Sequence, residues 1–471
     1  MNKILLFLML RFCLIGNAQT IVFSDVNFKN KLLASNTSNG IAKNSFGNGI
    51  VVDTNADNEI QVSEALNVSE LYLWSPFLNT TNDIVNLNGI QNFLNLKNLN
   101  CFGNSITSLN LQGLLNLEYI NAGENNISNC NITGLVALKE LSIYNNLLTN
   151  INIDNLTNLT TISIHDNQLN SLTFNNNSSL ENLWCSNNMI PSLNFSNTPS
   201  IKNCVCDSNL LTSINLGTVN QINELSCANN MLTSLNISNL SLMTYLDFSS
   251  NQIPVINFPS TNIIFQLIVS NNPISTLNLD NLSSLNHLTV SNTWITNLDC
   301  SLSTVQQLTC RYNANLQTIN VKNNVYTYSD PDLLYFGFVI ENNPHLQSIC
   351  LDNGEQNNLS YNNFSFNATG NVVVYTGASC STVIPQNTFS NADFASSHLI
   401  LFPNPTQNNL TIINPDTIQL KSISIHNTIG QLVKKFNNFQ ENIDVSDLKS
   451  GTYFITIELE KGTITEKFIK R

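Results

Sequence analysis

The stretch Leu96–Asn116 reads LKNLNCFGNSITSLNLQGLLN, with apolar residues at Leu96, Leu99, Cys101, Ile106, Leu109, Leu111 and Leu114. A lone Asn104 separates the two apolar triplets. A step of 21 residues places Leu117, Leu138, Leu159, Leu180, Ile201, Ile222, Met243, Ile264 and Leu285 where Leu96 stands. The same step carries Asn104 to Asn125, Asn146, Asn167, Asn188, Asn209, Asn230, Asn251 and Asn272. Self-similarity at a short fixed period is the signature of a solenoid. Leu99-x-Cys101 alternates inward and outward as a short strand does. No single coil can bury such a face, so inward residues of successive coils stack into one core. The repeated Asn is a turn residue whose amide bonds backbone groups of its own and the neighbouring coil, forming a ladder at the bend. Leu109-x-Leu111 repeats the strand-like spacing on the return side. The expectation is a flattened, mainly β coil without long helices.

The pattern LxxLxCxxNxLxxLNLxxLxN resembles the bacterial leucine-rich repeat in its nested form. About eleven coils match in phase, over roughly half the chain. For such a protein the resemblance implies a right-handed solenoid, with a parallel sheet on the concave face that serves binding rather than catalysis. On this reading the solenoid occupies 96–350.

Upstream, Lys3 precedes the apolar run Ile4–Ile15, and Gly16-Asn17-Ala18 has the small residues of a cleavage site. Residues 1–18 read as a secretory signal peptide. The alternative is an uncleaved anchor, but the run is short for a bilayer. No later segment reads as a transmembrane span. Residues 19–95 differ from the repeats and read as an N-terminal cap, with helical spacing over Val26–Ser35. A solenoid needs a cap because its first coil otherwise exposes core.

Within that cap, VVDTNADNEIQVSEAL puts Asp53, Asn55, Asp57, Glu59, Gln61 and Glu64 at places 1, 3, 5, 7, 9 and 12 of a calcium loop. Oxygen side chains at the first three places converge on one hard cation. Place 7 gives a backbone carbonyl, and the last carboxylate closes the site. The loop resembles those of EF-hand and dockerin-type modules, with Asn58 where Gly is usual. One structural calcium ion is the cofactor expectation, and an acidic surface turn is the alternative.

Cys101, Cys185, Cys206, Cys227 and Cys310 share one inward place of the repeat, which favours small buried hydrophobes over metal ligands. Cys350 and Cys380 lie beyond the last coil. In related secreted repeat proteins such a pair closes the C-terminal cap, here 351–382, so the resemblance implies a disulfide, which export permits.

Residues 383–397 read as a linker. From 398 to 471, strand-like alternation with intervening turns indicates a small antiparallel β-sandwich. Phe402-Pro403-Asn404-Pro405, Ile429-Gly430-Gln431-Leu432-Val433, Leu448-Lys449-Ser450-Gly451-Thr452-Tyr453-Phe454 and the basic Lys467–Arg471 resemble the sorting domain of proteins exported by the type IX secretion system. The resemblance implies contact with the export machinery, passage across the outer membrane, removal of the domain, and a secreted or outer-cell-surface location. A β-sandwich retained for adhesion is the alternative.

Charged residues make up only 10% of the chain and its net charge is −13, which argues against non-specific nucleic-acid binding. The five His are scattered, with no HExxH, GxSxG, phosphate loop or dinucleotide fingerprint, so an enzyme is not expected. On the outward places of the sheet, Phe102, Tyr119, Tyr144, His165 and Trp184 occupy consecutive coils. Exposed aromatics on a rigid sheet suit recognition of an extracellular protein or polysaccharide. The competing class is a structural surface or matrix component without a specific ligand.

Overall fold

The computed structural model describes residues 19–75, 83–325, 337–355, 372–377, 380, 400–413, 420–427, 431–438, 440–459 and 462–471. The proposed signal peptide and the linker 383–397 lie outside the described residues. The described chain forms two compact units, one ending at Ile268 and one running to Arg471, with Gln252–Ile256 belonging to the second.

The first unit opens with helix α1 (Val26–Leu33), started by Asp25, whose Oδ1 accepts the N–H groups of Asn27 and Phe28 at 2.8 and 3.0 Å. This is a standard N-cap. Its other oxygen accepts the N–H groups of Val85 and Asn86 at 2.6 and 3.0 Å, tying the cap helix to the entry of the repeats. The parallel strands then follow one per coil: Glu70–Tyr72, Asn98–Asn100, Tyr119–Asn121, Glu140–Ser142 and on to Gln266–Ile268. Asn98 pairs with Tyr119, and Tyr119 with Glu140, so the register equals the sequence period. The antiparallel strand Ala42–Lys43 closes the cap side.

Every inward place read from the quoted stretch is buried, from Leu96 and Leu99 to Leu111 and Leu114. Each such Leu or Ile is stabilised by about 2 kcal/mol relative to exposure. The cysteines in the sixth place of the repeat, Cys101, Cys185, Cys206 and Cys227, sit in this core, and so does Cys204. Burial raises the Cys101 thiol to about 12, which keeps it protonated and unreactive.

The Asn ladder has the geometry its chemistry allows. Asn125 Nδ2 donates to the carbonyls of Cys101, Ala122 and Gly123 at 3.0–3.2 Å, and its Oδ1 accepts the Ile106 N–H at 3.0 Å. One side chain thereby serves four backbone groups in two coils. The residue before each ladder Asn is left-handed: Gly103, Glu124, Asn145, Asp166, Asn187, Ser208, Asn229 and Ser250 have φ between 50° and 71°.

The return side is less regular than the spacing implies. Ser108–Asn110 pairs with Asn129–Asn131, and Ser192–Asn194 with Ser213–Asn215. Stretches such as Ile151–Ile153 form no strand there. The inward residues still pack, so the core outlives the loss of the ladder.

The second unit continues the repeat through His287–Thr289, Gln307–Arg311 and Phe338–Glu341. Leu308 pairs with Phe338 and Cys310 with Ile340, a step of 30 residues rather than 21. Where Thr293 replaces Asn, its hydroxyl donates to Asn313 Oδ1 at 2.7 Å. On the return side Thr318–Asn320 pairs with Ser348–Leu351, which pairs with Val373–Thr376. A Cys350–Cys380 disulfide joins the latter region, with Cα atoms 5.4 Å apart. The aromatics Tyr361, Phe364 and Phe366 lie outside the described residues.

Residues from Ile400 form two antiparallel sheets, one of three strands and one of four. Alternate residues of both, including Leu410, Ile412, Ile423, Ile425, Ile443, Ile455, Ile457 and Phe468, enclose one apolar core. This is the expected sandwich.

Candidate binding face

The outward side chains of the first unit's sheet fall into columns, because each coil repeats the last at the strand spacing of about 4.8 Å. Phe102, Gly123, Tyr144 and His165 share one column. The Tyr144 ring lies over Gly123, where an added Cβ would meet Cε1 at 2.9 Å. That gap lets Tyr144 reach Phe102, with ring centroids 6.3 Å apart. On its other side Tyr144 stacks on His165 at 4.7 Å and 13°. The separation matches the strand spacing, so these two rings stand across the coil direction with their faces against each other. Their edges are turned outward. His165 Nδ1 is 2.6 Å from Asp166 Oδ2, and Asn187 Nδ2 donates to the other Asp166 oxygen at 2.8 Å.

Tyr119 and Trp184 occupy other columns of the same face and are 38% and 36% exposed, the most open of the five. Lys139 Nζ lies 5.8 Å from the Tyr119 ring centroid. Beside it Glu118 sits between Lys139 and Lys97, the latter at 3.5 Å. The hydrogen bond from Lys139, with the two lysine charges, holds the Glu118 carboxyl below its ordinary range. Farther along, Asp207 accepts Ser226 Oγ and the Ala228 N–H at 2.7 and 2.8 Å. Its pKa is nevertheless raised, because burial outweighs those bonds. The structure thus joins Phe102, Tyr144 and His165 and rims the face with charge pairs. Gly123, Asp166 and Lys139 are the additions. The Phe, Gly, Tyr order at one repeat place was the sequence signal for the first.

The calcium-type loop is folded around its own backbone. Asp53 accepts the N–H groups of Asp57 and Asn58 at 3.2 and 3.0 Å, and Asn55 Oδ1 accepts that of Asp57 at 3.0 Å. Asn58 takes the left-handed turn with φ 62°. Asn55 and Gln61 both donate side-chain amides to Asp57 Oδ2 at 2.9 Å. The N–H of Glu59, more than those amides, holds the Asp57 carboxyl below its ordinary range. The Glu59 carboxylate pairs with Lys29 at 2.7 Å, leaving its carbonyl to the loop. Glu64 opens the short helix α2 (Val62–Ala65), accepting the Gln61 N–H at 2.9 Å and Thr54 N and Oγ1 at 2.7 Å. Among the described residues no group of three His, Cys, Asp or Glu side chains is arranged to hold a metal ion. The oxygen donors nevertheless share one turn, and their type suits a hard cation.

Comparison with known proteins adds two findings. Residues 400–471 match the secretion system C-terminal sorting domain. That domain marks proteins exported through type IX secretion and either attached at the cell surface or released, so the protein is exported and engages the secretion machinery. Among solved structures, the chain is similar to the functional domain of InlJ from Listeria monocytogenes, at 20% identity and a TM-score of 0.54. The alignment covers 88% of this chain and 93% of that one. The internalin InlF of the same organism aligns at 16% identity and a TM-score of 0.49, over 76% and 91% of the two chains. The fold is accordingly of the leucine-rich-repeat type. No curated protein sequence matches the chain. The family matched is not a catalytic one. Among the described residues no helix is long and apolar enough to cross a membrane.

Proposed function

We propose that the protein is a non-catalytic, exported binding protein whose repeat sheet recognises an extracellular protein through Tyr119, Tyr144, His165 and Trp184, with Phe102 supporting them. The observation that carries this reading is the Tyr144–His165 stack. A sugar ring needs an open aromatic face, and these two spend theirs on each other. What they offer is a row of polar-tipped edges, flanked by two exposed aromatics and a rim of paired charges. That is the composition of a protein contact surface, with aromatic anchors inside and charge outside. A protein contact accounts for this face better than a purely structural surface role does, because the face is built around positioned rings rather than uniform polar residues.

The test is binding of the labelled, exported protein to intact bacterial and host-type cell surfaces. Saturable binding that protease treatment of the target removes and glycosidase treatment spares is expected. Tyr144→Ala with Trp184→Ala should weaken it at least about thirtyfold, since a single anchor of this type is worth about 2 kcal/mol. Unchanged binding by the double variant would contradict the assignment of the face. Glycosidase-sensitive binding would transfer the ligand to the carbohydrate class.

We also propose that the Asp53–Glu64 loop takes one calcium ion with a structural role in the cap. Asp53, Asn55, Asp57, Glu64 and the Glu59 carbonyl would supply oxygens, once the amides on Asp57 rotate. A chelator should lower the unfolding temperature, and Asp53→Ala should abolish that effect. An unfolding temperature indifferent to chelator in the wild-type protein excludes the ion.

A further inference from the structure

We infer that Met189, Leu210 and Met231 form a ridge on which a second copy of this chain docks, about a two-fold axis that passes beside Leu210.

The three residues hold one place in consecutive coils, directly after the ladder residues Asn188, Asn209 and Asn230. They are 45%, 46% and 39% exposed, although each side chain is large and apolar. Their backbone is held from both sides. Met189, Leu210 and Met231 donate their N–H groups to the carbonyls of Leu169, Ile190 and Leu211 in the preceding coil at 2.9–3.1 Å. The residues that follow, Ile190 and Leu211, donate theirs to the ladder Asn of the next coil at 3.0 Å. The ridge is therefore set before a partner arrives, at the strand spacing of about 4.8 Å. Docking on it carries little cost of ordering.

Charge favours a second copy as the occupant. The flanking places hold Asn187, Ser208 and Asn229 on one side and Pro191, Thr212 and Thr233 on the other. In a chain of net charge −13, none of these nine places is charged, so two copies meet there without like-charge repulsion. Another ridge, Leu94, Leu115 and Val136, is 48%, 58% and 50% exposed. It is followed by Lys97, Glu118 and Lys139. A two-fold axis there sets Glu118 on its own copy and Lys97 on Lys139, which opposes pairing.

The order of residues supplies the register. Along the ridge place the sequence runs Gln168, Met189, Leu210, Met231, Gln252, the same from either end. An isologous contact sets residue i on residue j and j on i. With the axis at Leu210, that residue meets its own copy and each Met189 meets a Met231. Thioether side chains fit one another's contours readily. The ridge spans two strand spacings, about 10 Å, so the contact belongs to the small reversible class below about 1,200 Å².

The experiment uses the exported protein as recovered from its host. Sedimentation equilibrium up to about 200 µM should show monomer and dimer in exchange, half associated in the range of about 10–100 µM. Leu210→Asp puts two carboxylates on the axis and should weaken association at least about tenfold. Met189→Lys and Met231→Glu should each weaken it, and the chain carrying both should regain it, because each lysine then faces a glutamate. If Leu210→Asp lowers the unfolding temperature, the lysine and glutamate set still decides. A monomer at every concentration overturns the inference. So does a dimer indifferent to Leu210→Asp, or a double variant that associates no better than the single ones. A monomer whose binding to cell surfaces is lost in Leu210→Asp also overturns it, and gives the ridge to an external partner.

Discussion

At the residue scale, the ladder Asn does the most with the least. Asn146 Nδ2 reaches the carbonyls of Ala122, Ile143 and Tyr144 at 3.0–3.1 Å, and its Oδ1 accepts the Ile127 N–H at 2.8 Å. Ala122 and Ile143 each also receive a neighbouring ladder Asn. Asn146→Ala therefore orphans chiefly the Ile127 N–H, and should cost about 2 kcal/mol, read by denaturant unfolding. Asn177 shows the opposite case. It is fully buried where other coils place Leu114, Leu135 and Leu156, and its Oδ1 has no partner. The Ile153 carbonyl that Asn177 serves also accepts the Leu156 N–H. Asn177→Leu should stabilise the protein by about 1 kcal/mol in the same measurement. The ladder was legible in the sequence because Asn recurs in phase. The left-handed residue before it was not, since Glu124, Asp166, Ser208 and Asn229 share a backbone conformation rather than a side chain.

At the scale of elements, inward places transferred from sequence to structure with little loss, because burial depends on which residues are apolar and in what period. Strand pairing on the return side transferred only in part. Leu109 and Leu172 hold the same place of the repeat and both are buried, yet only the first lies in a strand. Apolar spacing fixes which residues turn inward and leaves the hydrogen-bond ladder to the turn geometry on either side. The aromatic face shows the same division. Phe102, Tyr144 and His165 were readable as outward residues, but the stack that turns their faces inward depends on the missing side chain at Gly123. The Cys350–Cys380 bridge closes a loop of sequence separation 30 at the end of the repeat core. Cys350→Ser should lower stability by roughly 3 to 4 kcal/mol on the loop-closure argument. A reductant should lower the unfolding temperature of the wild type and leave that of the variant unmoved.

At the scale of the molecule, the parts agree on an extracellular life. Polar amides and hydroxyls carry solubility where charges make up only 10% of the residues. Seven of the eight described free cysteines are buried, and burial raises Cys101 and Cys310 to about 12, so an oxidising surrounding finds few reactive thiols. The sorting domain supplies the route out, and recognition by the sheet of stacked and exposed rings is the proposed reason to be there. Mass measurement of the protein recovered from the medium and the cell surface of its native host tests this account most directly. The account predicts a species that begins at Gln19 and ends before residue 400. A full-length species confined to the cell interior would contradict it.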